Sequence, residues 1–341
     1  MRKCLSSTTL FLLLTLPVNG QGPEVDPVAE PPLLTVYTYD SFASEWGPGP
    51  RVEEAFEAEC GCDLRFVTVD SSTGILSRVQ LEGERSAADV VLGLDNSLLV
   101  EAQNTGLMAV HELNTENLDL PQPWDNPNFI PFDFGFFAFI YDSERMARPP
   151  SSFEELLATD EDFRVVIQDP RSSTPGLGLL LWVKSLYGDQ AQAAWKRLAP
   201  KILTVTKGWS EAYGMFLEGE ADMVLSYTTS PAYHQIVEEE ARYRAAGFKE
   251  GHGMQIEVAG MLKNAANPDL GRQFLQFILT PAFQSLIPTG NWMYPVVFPE
   301  EGLPEAFASL VRPVRSLVID PQGIADNKLD WIDEFNQVLS Q

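Results

Sequence analysis

The stretch FIPFDFGFFAFIYD, residues 129–142, decides the fold. It is apolar and aromatic over almost its whole length, with Gly135 at its centre. An ordinary strand has about 5–6 residues, so this segment is too long and too aromatic to be one. It predicts a strand that crosses from one lobe of the protein to another.

Strands and helices alternate on the N-terminal side of this segment. The β-branched and aromatic run LLTVYTY, residues 33–39, predicts a strand, and RVEEAFEAEC has helical spacing. The alternation continues through DLRFVTVD, ILSRVQLEGER and the buried strand ADVVLGL. This order is typical of a parallel sheet with crossover helices, where ligands bind beyond the carboxyl ends of the strands. The residues that follow such ends, and that we expect near a ligand, are Tyr39, Asp40, Asp95 and Asn96.

A second α/β unit follows on the C-terminal side. FRVVIQD and ADMVLSYTT have the pattern of strands, and the helical patterns are TPGLGLLLWVKSLYG, AAWKRLA and a long one, SPAYHQIVEEEARYRAA. GMQIEVAGML, residues 253–262, predicts a strand that returns the chain to the first lobe, and the remainder is mostly helical.

Two crossings predict an α/β protein of two lobes joined by a two-strand hinge. We expect a discontinuous lobe 1, residues 33–135 and 256–341, around a continuous lobe 2, residues 136–255. A chain of 341 residues is long enough for two such lobes.

The N-terminus has the pattern of a cleaved signal peptide. Arg2 and Lys3 precede a short apolar run, and small residues follow it up to Gly20, near which we expect cleavage. Residues 21–32 are rich in proline and acid and predict a disordered leader. Cys4 precedes the apolar run, so no lipid anchor is expected. We therefore predict a protein free in a periplasm.

The charge excludes one class of partner. The formal net charge is −25, which excludes nucleic acid as a partner. Such acidity serves solubility and also favours a cationic ligand, and the charge alone does not decide between the two.

Cysteine and histidine give little sign of metal binding. The mature chain keeps Cys60 and Cys62, in the string ECGCD, and the sequence leaves open whether they form a disulfide. Three histidines are scattered without ligand spacing. We expect no metal site and no cofactor.

The string QDPRSSTPGLGLLLW places a helix start at a strand exit. Thr174 followed by Pro175 fits an N-cap residue followed by proline at the first helical position. Free amides, the helix dipole and the hydroxyls of Ser173 and Thr174 predict a site for a phosphate or carboxylate. The cap does not need Ser173, which favours ligand contact, whereas capping and ligand contact stay equally open for Thr174.

Aromatic side chains occupy further loops and strand ends. Trp209 precedes a helix that Ser210 can cap, and its indole can donate to an anion or simply pack as a hydrophobic staple. Tyr227 ends a strand, Tyr233 lies in the next helix, and the turn in IPTGNWMYP presents Trp292 and Tyr294. Most aromatic residues belong to cores, but these positions converge on a cleft.

No arrangement for covalent catalysis emerges. The mature cysteines lie at a helix-to-strand turn away from the expected cleft, and no serine occupies a nucleophile elbow. We therefore expect no enzyme.

Several of these strings together resemble the periplasmic thiamine-binding proteins of bacterial ABC importers. They are LTVYTYDSF, WGPGP, ADVVLGLDN, DPRSSTPGLGLLLW, VTKGWSEAYG, LSYTTSPAYH and IPTGNWMYPV, and the resemblance covers nearly the whole chain from about residue 33. It implies a type II periplasmic-binding-protein fold that closes on thiamine, thiamine monophosphate or thiamine diphosphate. It also implies a monomer that delivers this cargo to inner-membrane permease subunits.

The resemblance also implies roles for six residues. Tyr39, Tyr233 and Trp292 correspond to aromatic residues that enclose the thiamine rings. The pocket for the hydroxyethyl arm or its phosphate corresponds to Ser173, Trp209 and Tyr227.

Two other functions remain open at this point. A ferric-ion-binding protein of the same fold would use Tyr227 and Tyr233 as phenolate ligands, but it gives no reason for Tyr39 and Trp292 to line the cleft. A thiamine-degrading enzyme of a related fold would need a cysteine nucleophile in the cleft, and here the cysteines lie elsewhere.

Overall fold

The computed structural model describes residues 31–340. The predicted signal peptide and nearly all of the predicted leader lie outside this range. Within it, no helix is both long enough and apolar enough to span a membrane.

Eleven strands lie in the described range. They are β1 Leu33–Tyr39, β2 Asp63–Val69, β3 Val90–Asp95, β4 Ile130–Asp142, β5 Val165–Gln168, β6 Ile202–Thr206, β7 Met223–Tyr227, β8 Tyr243–Ala245, β9 His252–Met261, β10 Tyr294–Pro295 and β11 Ser316–Leu317. All the predicted strands are confirmed.

Thirteen α-helices lie between and after the strands of the described chain. They are α1 Asp40–Ala43, α2 Gly49–Cys60, α3 Ser72–Glu82, α4 Leu99–Asn104, α5 Phe153–Leu157, α6 Thr174–Tyr187, α7 Ala191–Leu198, α8 Trp209–Leu217, α9 Pro231–Val237, α10 Pro268–Ile278, α11 Pro281–Gln284, α12 Ile287–Gly290 and α13 Pro321–Leu339.

The two long strands β4 and β9 join two three-stranded parallel units. The strand order is β2-β1-β3-β9-β4-β7-β5-β6. Strands β1, β2 and β3 are parallel to one another, as are β5, β6 and β7. Strands β4 and β9 pair antiparallel with each other, β9 pairs antiparallel with β3, and β4 pairs antiparallel with β7. Every residue of β4 and β9 is buried. The α/β fold with a two-strand connection is therefore confirmed, and the residue numbers of the lobe boundaries stay a prediction.

Strand β4 changes partners along its length. Its first half, up to Phe136, pairs with β9, and from Phe137 onward it pairs with β7 and β8. The aromatic run is thus one unbroken strand shared by two parts of the sheet, which explains its length.

The C-terminal helix α13 contacts helices of both units. Phe335 packs edge-on against Trp195 of α7 with ring centroids 4.9 Å apart. Glu334 accepts a hydrogen bond from Lys184 of α6 at 2.9 Å, and Lys328 pairs with Glu101 of α4. The two units are therefore linked by a helix as well as by β4 and β9.

The predicted long helix over 230–246 is wrong beyond Val237. Consecutive glutamates follow this residue, at the negative end of the helix dipole, and Glu239 has a φ of 55°. The helix ends there, and the chain then forms β8 on the edge of β4.

Two smaller expectations need correction. Strand β6, in the string KILTVT, was not predicted, because this partly buried edge strand lacks a regular alternation of apolar and polar residues. Tyr294 is not presented by a turn: it is buried in β10 and stacks on Phe134 with centroids 5.3 Å apart.

Cys60 and Cys62 form a disulfide, with Cα atoms 5.2 Å apart. It closes the turn between α2 and β2, where the left-handed Gly61, with a φ of 63°, ends the helix.

Candidate functional site

A cavity of about 690 Å³ lies at the carboxyl ends of the parallel strands. Its size is in the range of small-molecule sites. Seven of the ten predicted ligand-binding residues line it, namely Tyr39, Ser173, Thr174, Trp209, Tyr227, Tyr233 and Trp292.

Aromatic side chains form part of the wall. Tyr233 and Trp292 meet edge to face, with ring centroids 5.2 Å apart and planes at 89°. Trp292 has a φ of 57°, a left-handed conformation uncommon for a bulky residue. Together they offer flat apolar surface to a planar ligand.

Helix N-termini converge on another part of the cavity. The first residues or caps of α3, α6, α8 and α9 are among its lining residues, through Ser72, Thr174, Trp209 and Ser230. The starts of α3, α6 and α8 carry amide groups that have no partner within the helix, whereas the first amides of α9 pair with the carbonyls of Thr229 and Ser230. The positive end of a helix dipole lies at each start. This part of the cavity suits an anion.

The structure moves the N-cap position of α6 by one residue. Ser173, not Thr174, occupies the N-cap position, and its side chain makes no capping hydrogen bond. Thr174 is the first helical residue, and its hydroxyl lies 3.0 Å from that of Ser72. Ser173 is buried and lines the cavity, which keeps it available to a ligand.

The indole of Trp209 already has a protein partner. Its Nε1 donates to Ser226 Oγ at 2.7 Å, and Ser226 Oγ lies 2.7 Å from Ser230 Oγ. Trp209 also stacks on Tyr213, with centroids 4.9 Å apart. Gly208 holds the N-cap position of α8, so Ser210 does not cap it as expected. Trp209 is thus a packed wall residue, held in place by a serine network.

Acidic and amide side chains that the sequence did not single out form the floor. Tyr39 donates from its hydroxyl to Glu257 at 2.7 Å. The Asn291 amide donates to Asp133 at 2.6 Å and to Glu257 at 3.1 Å. Gln255 donates to the other oxygen of Glu257 at 2.8 Å. Glu257, Gln255 and Asn291 line the cavity, and Asp133 lies fully buried behind them.

Burial is the main cause of the pKa shifts of the acidic and phenolic groups in this floor. It raises the pKa of Glu257 to about 7, partly offset by the hydrogen bond from Tyr39. Burial and then the charge of Glu257 raise the pKa of Asp133 well above its ordinary value. Burial, with Glu257 as the next cause, also raises the pKa of Tyr39 and of Tyr227, so both stay neutral phenols.

Three predicted residues lie outside the cavity lining. Asp40 is exposed at the start of α1. Asp95 is buried and accepts hydrogen bonds from the backbone and hydroxyl of Ser97, and Asn96 accepts from the backbone of Ile256 at 2.8 Å. The last two close the turn after β3 and fix it to β9, so the geometry gives their predicted ligand contact no support.

A signal for the missed floor is present in the sequence. Gln255 and Glu257 alternate with apolar residues in β9, and Asp133 interrupts the aromatic run of β4. Polar side chains on a strand buried on both faces need partners or a ligand. These three positions meet that criterion.

The family model for the bacterial extracellular solute-binding protein matches residues 49–285. The chain belongs to this family. Among individual relatives of this solute-binding protein, the thiamine-binding periplasmic protein of Escherichia coli K12 is 50% identical and covered fully in both chains. That of Haemophilus influenzae is 43% identical, over 90% of this chain and 92% of its own.

Solved structures agree with the sequence comparison. A periplasmic thiamin binding protein matches this solute-binding protein with a TM-score of 0.88 and 52% identity, over 91% of this chain and 97% of its own. A ferric binding protein from Campylobacter jejuni has a TM-score of 0.74 at 18% identity, over 89% and 99%, and shares the fold alone.

These matches confirm three expectations. The resemblance to the periplasmic thiamine-binding proteins is confirmed, as is the two-lobe type II fold. The periplasmic location is confirmed as well, since the relatives at 43–52% identity are periplasmic proteins. The chain is therefore a periplasmic solute-binding protein.

Proposed function

We propose that this protein captures thiamine, thiamine monophosphate and thiamine diphosphate in the cavity and delivers them to the permease subunits of an inner-membrane ABC importer. The observation that carries the proposal is a cavity whose lining has two chemically different parts. Aromatic rings and the buried carboxyl of Glu257 form one, and helix N-termini form the other. The names of the relatives at 43–52% identity support the choice of thiamine.

The first part suits the two rings of thiamine. The thiazolium is permanently cationic and the aminopyrimidine is planar, so aromatic faces supply stacking and cation–π attraction of about 0.5–2 kcal/mol each. Tyr39, Tyr233 and Trp292 are the aromatic residues we assign to the rings. Glu257 adds a carboxyl next to Tyr39.

The second part suits the alcohol or phosphate tail. Ser173 offers a hydroxyl at the start of α6, where amides and the helix dipole favour an anion. Trp209 and Tyr227 line the same cavity and are assigned to the tail as well. The cationic ring and the anionic phosphate of the ligand thus each meet side chains or helix ends of complementary charge.

Binding without catalysis is part of the proposal. Cys60 and Cys62 form a disulfide outside the cavity lining, so neither offers a thiolate that could attack bound thiamine. We also propose that the protein acts as a monomer without a cofactor, since the residues of one chain line the whole cavity described here.

A ferric site receives less support. The Tyr227 hydroxyl donates to Gln255 at 2.9 Å, and its pKa is raised by burial and by Glu257, which disfavours a phenolate. Within residues 31–340, no three His, Cys, Asp or Glu side chains are grouped as metal ligands.

Native mass spectrometry and calorimetry test the proposal. We expect the purified protein to carry or to bind each of the three thiamine forms in a one-to-one complex. Replacing Trp292 by Ala should weaken all three forms by about 1–3 kcal/mol, as for a buried anchoring aromatic. Phe298→Ala, an exposed aromatic outside the cavity, is the matched control and should change nothing.

Two results would contradict the proposal. One is a visible phenolate-to-iron band on titration with ferric citrate, together with no heat from thiamine. The other is release of free thiazole, with transfer of the pyrimidine to the amine, when thiamine and an amine nucleophile are incubated with the protein.

A further inference from the structure

Two carboxyl groups face each other across the central pair of strands. Asp133 of β4 and Glu257 of β9 are partners in the antiparallel register, and both are buried. The amide of Asn291 donates to both, at 2.6 Å and 3.1 Å. Only Glu257 reaches the cavity, so it connects the pair to whatever binds there.

One of the four carboxyl oxygens in this pair has no hydrogen-bond donor. Asn291 and Tyr39 donate to Glu257 Oε2, Gln255 donates to Glu257 Oε1, and Asn291 donates to Asp133 Oδ2. The remaining oxygen, Asp133 Oδ1, is buried and has no hydrogen-bond partner in the described structure. A buried carboxylate oxygen without a donor is costly, and one proton on the pair removes part of that cost.

Within residues 31–340, no cationic side chain forms an ion pair with either carboxyl. The titratable groups that face the pair are Tyr39 from β1, Asp95 from β3 and Tyr227 from β7, and none of them is a cation. Burial raises the pKa of both groups; the charge of Glu257 raises that of Asp133 further, and the charge of Asp95 adds to the rise for Glu257.

We propose that Asp133 and Glu257 share one proton in the empty cavity, and that a cationic ligand displaces it, so that capture of the cargo releases a proton. The O–H bond of the protonated carboxyl breaks, the electron pair stays on oxygen as a carboxylate, and the proton leaves through the cavity to solvent. A cation within about 4–6 Å favours the ionised form of a carboxyl, which drives the exchange. The pair then acts as a specificity determinant for cationic over neutral ligands.

This inference rests on the proposed function only for the identity of the cation, and calorimetry tests it. Thiamine is titrated in buffers of different ionisation enthalpy. The dependence of the heat on the buffer should give release of roughly half a proton per ligand near pH 7, and affinity should rise about tenfold between about pH 6 and 8. The deaza analogue of thiamine, with carbon in place of the thiazolium nitrogen, should bind without release. Since it keeps the aminopyrimidine, protons from that ring cancel in the comparison.

Variants assign the proton to the pair. Glu257→Gln should abolish the proton release and reduce the preference for thiamine over the deaza analogue. Asp133→Asn, measured in the same way, should also abolish the release, and it tests the inference if Glu257→Gln does not fold. Glu144→Gln, an exposed acid outside the cavity, is the matched control and should keep the release.

The outcomes separate the two proposals. If thiamine gives no binding to the wild-type protein, the proposed function fails. If thiamine binds tightly but no proton is released, or protons are taken up, the proton-sharing pair is wrong while the proposed function stands. Equal release with the neutral analogue also overturns the inference.

Discussion

Ser173 is the side chain that best separates the thiamine forms. It is buried in the cavity wall at the N-cap of α6, and in the described structure its hydroxyl makes no hydrogen bond. We expect Ser173→Ala to weaken binding of the two phosphates by about 1.5–3 kcal/mol and to leave free thiamine nearly unchanged, because a hydrogen bond to a charged phosphate is lost. Calorimetry with all three ligands measures this.

A control fixes the interpretation of that result. Ser185→Ala removes a hydroxyl of α6 that is outside the cavity lining and donates to Trp182, so it should affect no ligand. Equal losses for all three thiamine forms in Ser173→Ala would show that the phosphate lies elsewhere.

Glu257 makes the stability of the empty protein depend on pH. Its pKa rises from 4.5 to about 7 on folding, so between these values the folded state binds more protons than the unfolded one. Stability from this group is full below 4.5 and is lost as pH rises through about 7. The melting temperature of Glu257→Gln should fall less than that of wild type over this range.

The difference between the two proteins is the quantity to measure. Burial lowers the pKa of His252, and this group contributes an opposite dependence on pH below its ordinary value. Since it is present in both proteins, it cancels when their thermal unfolding curves are subtracted. A difference that does not vary with pH would show that Glu257 is ionised throughout.

Among the elements, β3 shapes the position of Tyr39. Its register with β9 shifts between Leu92 and Leu94, and Gly93 between them has a φ of 101°. A Cβ on Gly93 would lie 2.4 Å from the Tyr39 ring. The irregularity in β3 therefore makes room for this ring.

Gly93→Ala should lower the affinity for thiamine as well as strain the backbone. We expect it to push Tyr39 out of place and weaken thiamine binding by at least about tenfold, in addition to the strain of a positive φ. Gly302→Ala is the matched control, since Gly302 has a φ of 81° and nothing near its added Cβ. The two variants are compared by their affinity for thiamine at equal folded fraction, and only Gly93→Ala should bind more weakly. Equal affinities would show that the Tyr39 ring moves aside without loss of binding.

Periodicity predicted these elements well, and contacts between distant segments account for the errors. The strands β1, β2 and β3 and helix α6 follow from local pattern. Strand β8 lies in a run of helix-forming residues and is a strand because Tyr243 and Ala245 pack on the edge of β4. The acidic floor was missed for the same reason, since Asp133 and Glu257 are far apart in sequence and meet only through the register of β4 and β9.

At the scale of the whole molecule, few polar contacts join the two sides of the cavity. Lys207, after β6, pairs with Asp70, after β2, and the hydroxyls of Thr174 and Ser72 lie 3.0 Å apart. The ion pair is exposed, with 70% and 60% of the two side chains accessible, so its contribution is small.

Lys207→Met should speed ligand release modestly. An exposed pair contributes about 0.2–1 kcal/mol, which corresponds to at most about a fivefold faster dissociation, and the difference should vanish in high salt. Stopped-flow fluorescence of the protein measures the rate at which bound thiamine dissociates. Lys249→Met is the control, because its pair with Glu155 is as exposed but lies away from the cavity. A similar acceleration in this control would attribute the effect to net charge.

The position of β9 between β3 and β4 also governs when the protein can finish folding. Neither neighbour pairs with the other, so the sheet of the first unit stays open until His252–Met261 has been made. Contacts so distant in sequence form slowly, because a long loop must close before they gain anything. Until then β3 and β4 present unpaired edges, which are sites of aggregation. A chain that ends before β9 therefore lacks more than the connection between the two units, because the edges of β3 and β4 that β9 covers stay unpaired in it.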